Sequence, residues 1–216
     1  MKEKEIYRIR FAKRDKENLL WQILVREYFQ RFIYSQDTVL DMACGYGEFI
    51  NHINCGKKFA LDINPEMAKF LKPDIKFLNS MSSVINLPDK SIAKIFASNF
   101  FEHLERKQII STIAELKRVL KEGGEVLVLQ PNIRFLTRDY WMFFDHLTPI
   151  DDRALDEIFR VYGFEVKMKI LRFLPFTTKS RFPQNSFLIS LYLKLPMLWR
   201  LLGRQSFIIY RKCEAA

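Results

Sequence analysis

Cysteine and histidine are scarce in this chain of 216 residues, glycine is nearly so, and no apolar run is long enough to span a bilayer. Each shortage excludes something. The three cysteines, Cys44, Cys55 and Cys213, are scattered, so they make neither a disulfide framework nor a paired metal-ligand spacing; they imply a reducing compartment, and no metal is expected. Three histidines leave a short list of candidate general bases. The start, Met1-Lys2-Glu3-Lys4-Glu5, is charged and is followed by no apolar core of signal-peptide length. The location expected is the cytoplasm, with contact at a membrane surface as an option that the C-terminal segment opens.

What is present begins with charge. The net charge is +10, unevenly placed: residues 1–34 carry +4, residues 35–165 carry −3 and residues 166–216 carry +9. The middle is nearly neutral and the basic character sits in the last quarter, which points to an anionic partner there. Hydrophobic residues make up 49%, enough for one sizeable core, and a single domain over 1–216 follows.

The most informative run is Val39-Leu40-Asp41-Met42-Ala43-Cys44-Gly45-Tyr46-Gly47-Glu48-Phe49-Ile50. It reads as a strand ending in a carboxylate, a Gly-x-Gly turn and a helix start. A second apolar run, Ala60-Leu61-Asp62-Ile63, ends in another acid about twenty residues on, where a doubly wound fold puts a ribose-binding carboxylate. A dinucleotide site needs a third glycine at position 50, where this chain has Ile50. Asp41 would also repel a pyrophosphate, whereas it suits the cationic end of a methionine moiety.

The run resembles motif I of the class I S-adenosylmethionine-dependent methyltransferases, of the small-molecule, type 11-like branch, with Ala43 in place of the first glycine. Leu87-Pro88-Asp89 through Glu102-His103-Leu104 is similar to that family's fourth-strand region, and Gly123-Gly124-Glu125 through Asn132 to its fifth strand. The similarity spans roughly 35–172 in order and spacing. It implies a Rossmann-like doubly wound sheet of seven strands, mostly parallel with strand 7 antiparallel, in the order 3-2-1-4-5-7-6, with helices on both faces. It implies S-adenosylmethionine as cofactor, held by Asp41, Ala43, Gly45, Gly47, Asp62 on the ribose and Ile63 on the adenine, with Met81, Ser82, Ser98 and His103 around it. One departure stands out: Asn79-Ser80-Met81-Ser82-Ser83 has no acid for the adenine amine, so a backbone carbonyl or a serine hydroxyl would take its place.

Periodicity adds the remainder. Residues 16–34 read as an amphipathic helix, part of an N-terminal helical cap over 1–34. Strands are expected near 38–42, 58–62, 75–78, 93–98, 125–130, 164–172 and 206–212, and helices near 47–54, 65–71, 104–121 and 151–162. Two insertions flank the expected substrate side: an aromatic connection over 132–150, and a long one over 173–205 whose apolar, basic helix at 187–202 Pro196 should break or kink.

Methyl transfer from a sulfonium is an in-line displacement, and a base is needed only where the acceptor must lose a proton. His146, with Asp145 to orient it, is the preferred base; His103 has a helix-start packing role as its alternative, and His52 reads as surface or packing. Tyr140, Trp141, Thr178, Lys179 and Arg181 are the candidate substrate contacts. The expected reaction is O-methylation of a small or lipid-linked acceptor, of sugar or polyprenyl type. Nucleic-acid methylation along the basic tail ranks below it, because that segment is rich in Leu and Ile rather than in spaced cations. A cofactor-binding module without catalysis is the third option.

Overall fold

The computed structural model describes residues 14–176 and 185–214. Its centre is a seven-stranded sheet: β1 (Thr38–Met42), β2 (Lys57–Asp62), β3 (Ile75–Asn79), β4 (Ile92–Ser98), β5 (Leu120–Pro131), β6 (Phe164–Ile170) and β7 (Gln205–Lys212). The order is β3-β2-β1-β4-β5-β7-β6, parallel except for β7, which runs antiparallel to both neighbours. This is the topology that the family resemblance implies.

Strand residues alternate between two apolar layers, as a period of two requires. Leu40, Met42, Ile95, Val126, Ile208 and Tyr210 face one layer, which is closed by helices α2 (Arg106–Val119) and α4 (Asp152–Val161), the short α3 (Ile133–Leu136) lying between them in the chain. Val39, Phe96, Leu127, Phe207 and Ile209 face the other. Covered on both sides, the inner strands read as continuous apolar runs. The second layer is strongly aromatic. Phe49 stacks on Phe96 at 3.7 Å, and Tyr28, Phe29, Phe173, Trp199 and Phe207 pack edge to face or tilted around them. Rings packed in this way gain about 0.5–1.5 kcal/mol per pair beyond simple burial.

Helix α1 (Arg14–Glu27) and a 3-10 turn, Phe29–Phe32, supply part of that layer, so the cap expected as one helix is broken at Tyr28. Pro196 divides the C-terminal insertion into α5 (Ser186–Lys194) and α6 (Pro196–Leu202). Trp199 Nε1 donates to Tyr192 O across that break at 2.7 Å, and Ser190 donates to Glu27 on α1.

Two expectations are corrected. The helix predicted over 47–54 is a chain of turns with a single α-type bond, Asn51 N to Gly47 O at 2.9 Å. The Asn51 side chain is committed to the next loop, giving to Phe70 O and taking from Lys72 N, and this fixes the segment as a docked turn. The fifth strand begins at Leu120 rather than 125. Gly123, at φ +68, lets it pass through a register shift opposite Ile92–Lys94 instead of opening with a separate turn. Beside that shift, buried Glu125 is surrounded by Lys94 on β4, Lys167 on β6 and Arg211 on β7.

Candidate functional site

The candidate site lies at the carboxyl ends of β1, β2, β4 and β5, where open α/β sheets bind ligands. After Met42 the chain turns through three left-handed residues, Ala43 (φ 53), Gly45 (φ 53) and Gly47 (φ 76). Glycine adopts that conformation freely, but Ala43 does so at a cost of about 1–2 kcal/mol. The substitution of alanine for the first glycine is therefore a conformational departure as well as a small gain in volume. Gly47 has a second reason to lack a side chain: an added Cβ would stand 2.6 Å from Leu71 and 2.8 Å from Asn51.

The loop is tied to β2 by its acid. Gly45 N donates to Asp62 Oδ2 at 3.0 Å, Asn64 N to Oδ1 at 2.8 Å, and Cys44 N to Leu61 O. Asp62 pairs in register with Asn79, whose amide holds the carbonyls of both Asp62 and Ile63. Just past this pair Ile63 and Met81 stand 72% and 56% exposed. Two large apolar side chains left open at the mouth of a polar loop fit an adenine ring.

Charge decides what kind of ligand the loop accepts. Asp41 is buried and accepts from Ile50 N–H. Burial, then the charges of Glu48 and Asp62, push its carboxyl well above the usual range. Burial likewise raises Asp62. Glu48 is a third acid of the loop that sequence reasoning passed over by treating position 48 as a helix start. Three carboxylates around one glycine turn favour a cation such as a sulfonium and its ammonium group, and oppose a pyrophosphate. Cys44 is also buried among these acids, and burial first, then their charge, pushes its thiol far up, so it is no nucleophile.

The remaining predicted contacts divide. Ser98, at the end of β4, is one residue beyond Ala97, the register partner of Met42, and accepts from Asn99 Nδ2. The Ser82 hydroxyl is bonded to Thr112 on α2 at 2.7 Å. Tyr140 is fully buried. Its hydroxyl donates to Thr148 O and receives Ile150 N, which makes it a strut of the 133–150 connection instead of a substrate contact. Trp141 beside it is 53% exposed. Thr178, Lys179 and Arg181 lie outside the described residues.

His103 and His146 come together. Leu147 N and Thr148 N donate to Glu102 O, and Thr148 Oγ1 to Leu104 O, stitching the loop after β4 to the connection after β5. The two imidazoles are 5.1 Å apart, centre to centre. Asp145 lies against His103: its carbonyl accepts from Nδ1 at 2.9 Å and its carboxylate lies at 3.4 Å. His146 is 6% exposed and walled by Tyr140, Phe143 and Phe176. Beneath them buried Glu102 takes Gln130 Nε2 at 2.7 Å, and burial raises its carboxyl. The ligand-type atoms of Glu102, His103 and His146 all lie within 4.8 Å of one another.

Comparisons with known proteins bear on the fold. Residues 40–128, from β1 through most of β5, match the family model described as a methyltransferase domain. An uncharacterized protein of Methanocaldococcus jannaschii is 33% identical over 117 residues, covering 54% of this chain and 46% of that one. The chain spans about half the length of the curated relatives it matches. Among solved structures, an S-adenosylmethionine-dependent methyltransferase from Archaeoglobus fulgidus superposes with a TM-score of 0.68 at 21% identity, covering 90% of this chain and 94% of that one. The [4+2]-cyclase SpnF superposes at 0.64 with 16% identity, covering 92% and 81%.

Proposed function

We propose that this chain, which carries a methyltransferase domain with the fold of the class I S-adenosylmethionine-dependent methyltransferases, transfers the methyl group of that cofactor to a hydroxyl of a small or lipid-linked acceptor, of sugar or polyprenyl type. The observation that carries the reading is the acidic glycine loop bound through Gly45 to Asp62, together with the Glu102–His103–His146 cluster on the segments that follow β4 and β5. The loop suits a cationic nucleoside. The cluster suits an acceptor that must lose a proton, since it alone brings imidazoles to the acceptor side. His146, the base expected from sequence, is closed in by rings, whereas the His103 side chain keeps 21% of its surface open.

The lipid-linked part of the reading rests on the 173–205 insertion. Phe187, Met197 and Leu201 stand 69%, 79% and 69% exposed on α5 and α6, while Leu193 and Trp199 on the same helices pack inward. An apolar face with Lys194 and Arg200 nearby suits contact with an acyl or polyprenyl chain at an anionic surface. The insertion reaches the site through Phe176, which packs on Phe143 and His146. No helix among the described residues is long and apolar enough to cross a membrane.

The nucleic-acid reading loses support for a specific reason. Among the C-terminal cations, Lys167 and Arg211 pair with Glu125, Lys169 with Asp152 and Asp156, and Lys212 with Glu122. Among the described residues these four cations are engaged with acids of the same fold, which makes them less available to a phosphate backbone. The fold also hosts a protein named as a cyclase, so transfer has to be measured. With labelled S-adenosylmethionine and panels of sugars, polyprenyl-linked sugars and oligonucleotides, label should enter the first two; incorporation confined to oligonucleotides would overturn the assignment.

A further inference from the structure

We propose that Glu102, His103 and His146 form a binding site for one divalent transition cation, held by two imidazole nitrogens and one carboxylate oxygen. The first observation is convergence: the three ligand-type atoms lie within 4.8 Å of one another, although they come from loops after two different strands. A cation with bonds of about 2.1 Å needs ligand atoms about 3–4 Å apart, within a small side-chain adjustment of this arrangement.

The second observation is orientation. His103 Nδ1 is 2.9 Å from the carbonyl oxygen of Asp145, which can only accept, so Nδ1 donates there and Nε2 is the ring nitrogen left for a ligand. Nε2 is 3.8 Å from Glu102 Oε1, too far for a hydrogen bond. Glu102 Oε1 is itself buried and has no hydrogen-bond partner, while its other oxygen is held by Gln130. His103 Nε2 and Glu102 Oε1 therefore face each other without a hydrogen bond between them, each oriented from behind, His103 by the Asp145 carbonyl and Glu102 by the Gln130 amide. Such outer partners are what orient metal ligands. A bound cation would satisfy both.

The donor set selects the ion. Two imidazoles and a carboxylate suit zinc, manganese, iron(II) or cobalt over magnesium and calcium, and three protein ligands leave positions open. The role of the ion rests on the function proposed above. An acceptor hydroxyl bound at an open position would lose its proton to water. Its oxygen would then form the bond to the methyl carbon as the carbon–sulfur bond breaks, and the neutral thioether S-adenosylhomocysteine would leave.

The test uses Co2+ as probe on the chelator-stripped full chain. One equivalent should bind with visible d–d absorption, and Glu102→Gln, His103→Ala and His146→Ala should each weaken binding about 10–100-fold, while Cys213→Ser leaves it unchanged. Thermal melts guard against variants that fail to fold: Co2+ at saturating concentration should raise the Tm of the unsubstituted protein. Absence of saturable Co2+ binding with no Tm shift, or equal affinity in folded Glu102→Gln and His103→Ala, overturns the site. Titration with S-adenosylmethionine in excess chelator separates the two readings. Loss of Co2+ binding with cofactor binding intact removes only the metal, and the converse removes only the transferase.

Discussion

Asp62→Ala is expected to weaken S-adenosylmethionine binding about 100-fold in a calorimetric titration. The Asp62 carboxylate is placed by Gly45 N and Asn64 N at the end of β2, with lone pairs of both oxygens free to take ribose hydroxyls as well. Charge-assisted hydrogen bonds contribute about 1.5–3 kcal/mol each. Losing two of them, together with the anchor of Gly45, corresponds to two or more powers of ten in affinity. Asp62→Asn keeps the shape and one acceptor, so it should lie between. Binding by Asp62→Ala within about threefold of the parent would mean that the nucleoside sits elsewhere.

Glu125→Ala should unfold the protein at a markedly lower temperature while leaving the cofactor loop untouched. Glu125 is 2% exposed and receives Lys94, Lys167 and Arg211 from three other strands of the sheet. Removing the shared partner leaves Lys94, itself 8% exposed, as a buried uncompensated charge. Breaking a buried pair in this way costs about 3–5 kcal/mol. For a chain of this size that corresponds to a Tm lower by about 10 °C. Burial alone would raise the Glu125 carboxyl, but Lys167 and Lys94 outweigh it and hold the group below its ordinary value. A carboxylate lowered on folding stabilises fully above its unfolded pKa and loses that contribution as pH falls through the folded one. The parent should therefore lose this stability on acidification below the ordinary carboxylate range, while Glu125→Ala shows a flatter profile there. A Tm within about 2 °C of the parent at neutral pH would show that the cluster contributes little.

Much of this was legible in the sequence because it follows from local rules. The acid at the end of β2, the glycine turn and the break at Pro196 each follow from a short run of residues with one physical reading, and the strand order follows from the family resemblance that those runs carry. What escaped depends on distant contacts. The expected helix at 47–54 fails because Asn51 finds its partners at Phe70 and Lys72. Asp145 adjoins His146 in the chain, yet its carbonyl meets His103, because the backbone bonds from Leu147 and Thr148 to Glu102 bring the two loops together. No metal-ligand spacing is visible at Glu102, His103 and His146 for the same reason: the set is assembled by the sheet. The +9 charge of the last segment overstated its surface, since its pairing with Glu122, Glu125, Asp152 and Asp156 is long-range.

The central claim, that the acidic glycine loop and Asp62 hold a cationic nucleoside, is tested most directly by titrating the unsubstituted protein with S-adenosylmethionine, S-adenosylhomocysteine and NAD. Micromolar binding of the two sulfur nucleosides at one site, with NAD unable to displace them, is the predicted result. Absence of binding at millimolar concentration, or tighter binding of NAD, would contradict it.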